Sequence, residues 1–142
     1  MTEQDTLYPV EFFIAATPLS LQASPASKAR WKLAVAEAAR RLVRETDELG
    51  FLDPRPVSLV IYYFPLAQML GDIDNIVKPI MDALTRVAYL DDRNVERVIV
   101  QKFEPQVEWS FANPGPQLAA ALDCAPPVVY IRVDDDLSWR RL

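Results

Sequence analysis

Residues Val57 to Phe64 (VSLVIYYF) are apolar but for one serine, and they are fenced by Pro56 and Pro65. A run this short and this rich in β-branched and aromatic side chains suits a strand buried on both faces or in the middle of a sheet. Such a strand needs a substantial body around it. The 142 residues fit one domain, and a domain of this size buries about two-thirds of its unfolded surface. No apolar run approaches the roughly 18 residues needed to cross a bilayer. With 51% of residues hydrophobic and 25% charged, the composition is that of a globular chain with no membrane partner.

Prolines punctuate the rest of the sequence. Tyr8 to Thr17 is predicted as a first strand closed by Pro18. Ala26 to Leu49 is rich in Ala, Lys, Arg, Glu and Leu and is followed by Gly50, the pattern of a helix with a left-handed C-terminal cap. Its apolar face is expected at Trp31, Val35, Ala38 and Leu42. Between Lys28 and Arg44 it carries six cations, Lys28, Arg30, Lys32, Arg40, Arg41 and Arg44, against Glu37 alone, which makes it the candidate basic surface. Those charges also read as a solvated face with Glu37–Arg41 and Arg44–Glu48 partners. Ile76 to Ala88 has helical spacing behind an Asp74-Asn75 N-cap region, with Pro79 tolerable in the first turn and otherwise a kink. Val95 to Phe103 and Val128 to Val133 are two further strands, separated by a proline-rich loop with a short helix at Gln117 to Leu122. The order predicts an α+β fold: one domain over residues 1–133, a mixed sheet of about four strands against two main helices, and a surface tail at 134–142.

Absences narrow the chemistry. With no histidine, imidazole bases and His-ligated zinc are excluded. The single cysteine, Cys124, forms no intrachain disulfide, and the three scattered glycines make no phosphate-cradling loop. The start of the chain lacks a secretory pattern, which places it in the cytoplasm by default. A net charge of −5 argues against a sequence-blind polyanion binder and leaves local patches open.

Gly71 to Asp92 (GDIDNIVKPIMDALTRVAYLDD) concentrates five aspartates against Lys78 and Arg86. In extended chain Asp72 and Asp74 would point the same way. Asp74, Lys78 and Asp82 fall on one stripe of the following helix, and Asp91-Asp92 comes after it, where the chain could fold back. Two or three aspartates with open positions suit a hard divalent cation, and a metal with a nearby lysine can hydrolyse a phosphodiester without histidine. The same residues also read as an N-cap, a solvated ion-pair ladder and ordinary turn residues. Trp31, Trp109 and Trp139 are expected to pack in the core or at its edge.

The pattern D-I-D-N-x-x-K-P-x-x-D-A-L followed by L-D-D, at Asp72 to Asp92, resembles the signature of RusA-type Holliday junction resolvases. A weaker similarity lies in Pro18-Leu19-Ser20-Leu21-Gln22. The resemblance implies a RusA-like fold and Mg²⁺-dependent cleavage of four-way DNA junctions by a homodimer, with Mn²⁺ as the alternative metal. It implies Asp72, Asp74 and Asp92 as metal ligands and catalytic residues, with Asp91 the alternative to Asp92. Lys78 would meet the scissile phosphate or its attacking water, and Asn75 and Asp82 would orient the ligands. Two features depart from it: Pro65 to Leu70 is apolar where a well-known member carries arginines, and the Val87-Ala88-Tyr89 connection is one residue shorter. DNA affinity is therefore assigned to Lys28, Arg30, Lys32, Arg40, Arg41 and Arg44.

Overall fold

A computed structural model describes residues 8–18, 24–45 and 52–141. The chain runs β1 (Val10–Ile14), α1 (Pro25–Glu45), β2 (Val57–Phe64), α2 (Asp74–Leu84), β3 (Val95–Lys102), α3 (Pro116–Leu122) and β4 (Val128–Asp134). Short 3-10 turns occupy Asp92–Asn94 and Ser138–Arg140. The four strands form one mixed sheet in the order β1-β4-β2-β3. β4 is antiparallel to both β1 and β2, whereas β2 and β3 are parallel. The α+β architecture predicted from the element order is the one observed. No helix among the described residues is long and apolar enough to cross a membrane.

β2 lies in the interior of the sheet, and its two-residue alternation divides the core. Val57, Leu59, Ile61 and Tyr63 face one layer together with Val129, Ile131 and Val133 of β4, and α1 and α2 cover them. Tyr62 and Phe64 face the other layer, where Phe103, Tyr130, Leu118 and Ala121 close a smaller aromatic core with α3. The register sets Ile61 opposite Ile131 and Tyr62 opposite Tyr130, so cross-strand pairs of like character meet on each face. β3 is one of the two edge strands, with β1 at the other edge. Two of the charged residues of β3 are engaged by the C-terminal segment: Arg140 pairs with Glu96, and the Arg97 guanidinium sits 5.0 Å from the Trp139 ring centroid.

Several boundaries differ from expectation. β1 is shorter than Tyr8 to Thr17, and β4 runs one residue past Val133. α1 starts at Pro25, a position where the missing amide hydrogen is harmless. Leu49 and its cap Gly50, Glu48, the Leu42 and Arg44 side chains and Leu19 to Gln22 lie outside the described residues. The buried stripe of α1 is Trp31, Val35, Ala36 and Ala39, with Ala38 only partly buried. The packing line therefore drifts round the helix, as about 100° per residue requires when the face is wider than one column. Trp31 is core, as expected, and Trp109 packs at the edge of the aromatic cluster against Phe64, Phe103 and Phe111.

α2 ends at Leu84, four residues before the expected Ala88, because Thr85 turns extended and Arg86 left-handed. The helix also begins sooner than Ile76. Ile73, in right-handed helical conformation, is its N-cap and makes no side-chain cap bond, so Asp74 is the first helical residue rather than the cap. Pro79 lies in the second turn, buried against the core, and the helix runs through it from Asp74 to Leu84.

Leu59 is fully buried at the centre of β2. Leu59→Ala is expected to lower unfolding stability by about 2–5 kcal/mol in urea denaturation. Val107→Ala, at an exposed position, is expected to change it by no more than about 0.5 kcal/mol.

Candidate active site

The site is built on the connection between the two parallel strands. After α2 the chain reverses at Arg86, whose φ of 67° is the left-handed conformation that costs a non-glycine residue about 1–2 kcal/mol. The Arg86 amide donates to the Tyr89 carbonyl at 2.6 Å, and the Val87 and Ala88 amides donate to the Leu84 carbonyl. Two tyrosine hydroxyls pin this return. Tyr89 OH donates to the Met81 carbonyl at 2.9 Å, and Tyr8 OH donates to the Ala88 carbonyl at 2.6 Å. Burial raises the pKa of both phenols, that of Tyr8 to about 12, so both remain neutral donors at ordinary pH.

The return carries Asp91 and Asp92 back alongside α2. Lys78 Nζ lies 2.9 Å from Asp82 Oδ1 and 3.1 Å from Asp92 Oδ2, so one ammonium joins a helical carboxylate to one from the loop. These two hydrogen bonds, with Asp82 first, raise the Lys78 pKa. Lys78 is therefore held as an ammonium that donates hydrogen bonds. Asp91 caps the 3-10 turn: its Oδ1 accepts from the Arg93 amide at 2.9 Å, while its own amide donates to Asn94 Oδ1 at 3.0 Å. The Arg93 amide, and then the neighbouring Asp92 carboxyl, hold the Asp91 pKa below its usual value.

Asp72 and Asp74 are arranged differently from expectation. Ile73 between them is in right-handed helical conformation and Asp74 opens α2, so the two aspartates are not joined by the extended chain that would have set them on one side. Asp72, with Asn75, lines a concavity of about 310 Å³ formed with the 65–70 segment. Asp82, Asp91 and Asp92 line another, of about 600 Å³, between α1 and the return loop. Of the expected stripe Asp74–Lys78–Asp82, only the Lys78–Asp82 half is an ion pair among the described residues. No three acidic side chains converge on one point among those residues. Lys78 accounts for part of this, since its ammonium draws Asp82 and Asp92 to itself. The donors nonetheless fit a hard divalent cation, because every one is a carboxylate oxygen and Mg²⁺ is commonly held by one or two carboxylates with phosphates and waters completing its shell.

Of the basic residues of α1, Lys32 and Arg40 line the larger concavity, facing the aspartates. Arg30 Nη2 donates to Ser27 Oγ at 3.2 Å, and Lys28, Arg30 and Arg41 are not in the lining. The helix thus turns part of its charge, not all of it, toward the acidic residues. Sequence reading missed Arg86, which lines the same concavity. No local signal marks it, since a left-handed turn is usually announced by glycine or asparagine.

The family model described as Endodeoxyribonuclease RusA matches residues 19–108, well over half of the chain. The match spans α1, β2, α2 and β3 and ends before α3 and β4. No curated protein matches the sequence.

Because Lys78 is half exposed, Lys78→Met is expected to change stability by no more than about 1 kcal/mol. A raised folded-state pKa contributes stability that is complete below the unfolded value of 10.5 and is lost as pH climbs through the folded one. The difference between parent and variant in urea denaturation should accordingly hold steady near neutrality and shrink above pH ~10.5.

Proposed function

The chain belongs to the RusA endodeoxyribonuclease family, and we propose that it is a cytoplasmic, Mg²⁺-dependent homodimer that resolves four-way DNA junctions in recombination and repair. The observation that carries this reading is the juxtaposition across one concavity of Lys32 and Arg40 with Asp82, Asp91 and Asp92. Cations beside carboxylates suit a polyanion whose phosphate must be gripped and whose hydrolysis needs a divalent ion. Two symmetric cuts in a four-way junction call for two active sites related by a two-fold axis, which is the reason for the dimer.

In this reading Asp72, Asp74 and Asp92, with Asp91 as the alternative to Asp92, are the carboxylates that would hold Mg²⁺ or Mn²⁺. The ion, when bound, supplies Lewis-acid charge neutralisation and a more acidic water. The remaining work falls to the protein's own side chains. Lys78, held protonated by Asp82 and Asp92, directs positive charge at the phosphate as negative charge develops on it. Asp91 stays ionised because the Arg93 amide donates to it. Lys32 and Arg40 bind backbone phosphates, and Asn75 and Asp82 orient their neighbours. The remaining basic residues of α1, Lys28, Arg30, Arg41 and Arg44, would extend the DNA track.

A labelled synthetic four-way junction, incubated with Mg²⁺ or EDTA beside a linear duplex control, tests the proposal. Paired nicks in the junction alone, and only with metal, are the expected result. Cutting of the linear duplex would instead indicate a nuclease of other selectivity, which the exposed Leu66 and Leu70 in place of basic residues favour. Binding without cutting would indicate a non-catalytic member. Asp72→Asn and Asp92→Asn are each expected to reduce cleavage by about 10²–10³ while leaving folding intact. A variant that cuts at the parental rate removes that residue from the assignment. Replacing Lys32 and Arg40 together by Ala should flatten the slope of log affinity against log salt by about 2.

A further inference from the structure

We infer that Arg86 grips a backbone phosphate of the bound DNA, and that the chain retains an arginine there against the preference of its own backbone. The inference rests on the nuclease reading above and adds to it a residue that neither the motif nor the basic helix contains. Arg86 is placed by the return loop, with its side chain exposed and lining the concavity shared by Lys32, Arg40, Asp91 and Asp92. Its φ of 67° is where glycine is at ease and a side chain is strained. The side chain makes no ion pair among the described residues, although three carboxylates line the same space. Arg55, Arg93, Arg132 and Arg140 each pair with an aspartate or glutamate.

The charge balance explains which ligand would satisfy it. Asp82 and Asp92 are already engaged by Lys78, and Asp91 by Arg93. Together with Lys78 and Arg93, the lining cations Lys32, Arg40 and Arg86 outnumber the three carboxylates by two, a cationic excess facing open space. That excess calls for an anion. A guanidinium presents paired N–H donors matched to two oxygens of a phosphodiester. A backbone conformation kept at a cost, with no side-chain ion pair among the described residues to offset it, is the pattern of a residue retained for what it binds.

Arg86→Gly separates this role from mere tolerance, because it relieves the turn while removing the cation. Its urea midpoint should equal or exceed that of the parent. Its affinity for the synthetic four-way junction should show a salt slope smaller by about 1, and single-turnover cleavage should fall by about tenfold or more. Arg86→Lys should keep most of the salt slope while recovering only part of the cleavage, since an ammonium cannot make the paired contact. Arg86→Asn also accepts the left-handed backbone and serves as the second variant should glycine loosen the turn. A glycine or asparagine variant that is folded and binds with the parental salt slope overturns the inference. Failure of the parent itself to cut any DNA would overturn the nuclease reading instead, and the slope measured on bound junction would still decide the part played by Arg86.

Discussion

Neighbouring strands that run the same way cannot be joined by a tight turn, and β2 and β3 are such a pair. The chain must leave the end of one, cross the sheet and return to the start of the other. The crossing segment holds α2, the reversal at Arg86 and the Asp92–Asn94 turn. Every acidic candidate lies on that excursion. The site is thus a product of the sheet's topology: pairing β3 beside β2 forces the connection, and covering the buried face of β2 forces α2 to lie against it.

The apolar side of α2, Ile76, Ile80, Ala83 and Leu84, is committed to the core. That leaves Lys78 and Asp82 on the exposed side, one turn apart and within reach of each other. The loop then adds Asp92 from outside the helix. A single ammonium bridging carboxylates from two elements fastens the return loop to the helix, while exposure keeps the energetic contribution small. The same exposure keeps these groups open to a ligand, whereas a pair sealed in the core would have been closed to one. The firmer fastening comes from the fully buried Tyr89 and the partly buried Tyr8, whose hydroxyls donate to the Met81 carbonyl, which also accepts the Thr85 amide, and to the Ala88 carbonyl in the turn.

The two faces of the sheet serve different ends. One is packed by α1 and α2 and carries the site at its rim. The other is closed by an aromatic group in which Phe64 stacks on Phe103 with ring centroids 4.9 Å apart and Tyr62 stacks on Tyr130 at 5.6 Å. α3 and β4 supply much of this second layer and lie beyond the stretch that matches the family, so the matched segment is completed by strands and side chains that its motif does not mention.

Strands and helices were legible in the order of residues because period and punctuation are local. The apolar run between Pro56 and Pro65 has one stable use, and it found it. The alanine-rich segment could hardly avoid being a helix. The acidic motif, too, stood out through residue type and spacing along the chain. What local order did not reveal was direction in space. The extended link expected between Asp72 and Asp74 was lost because Ile73 went helical to begin α2. Lys78 chose Asp82 and Asp92 over Asp74 once the loop had come back beside it. Arg86 acquired its place from a reversal that no glycine announced. Such contacts depend on chain segments meeting after the sheet is assembled, and their geometry is set by packing that acts on all of them at once.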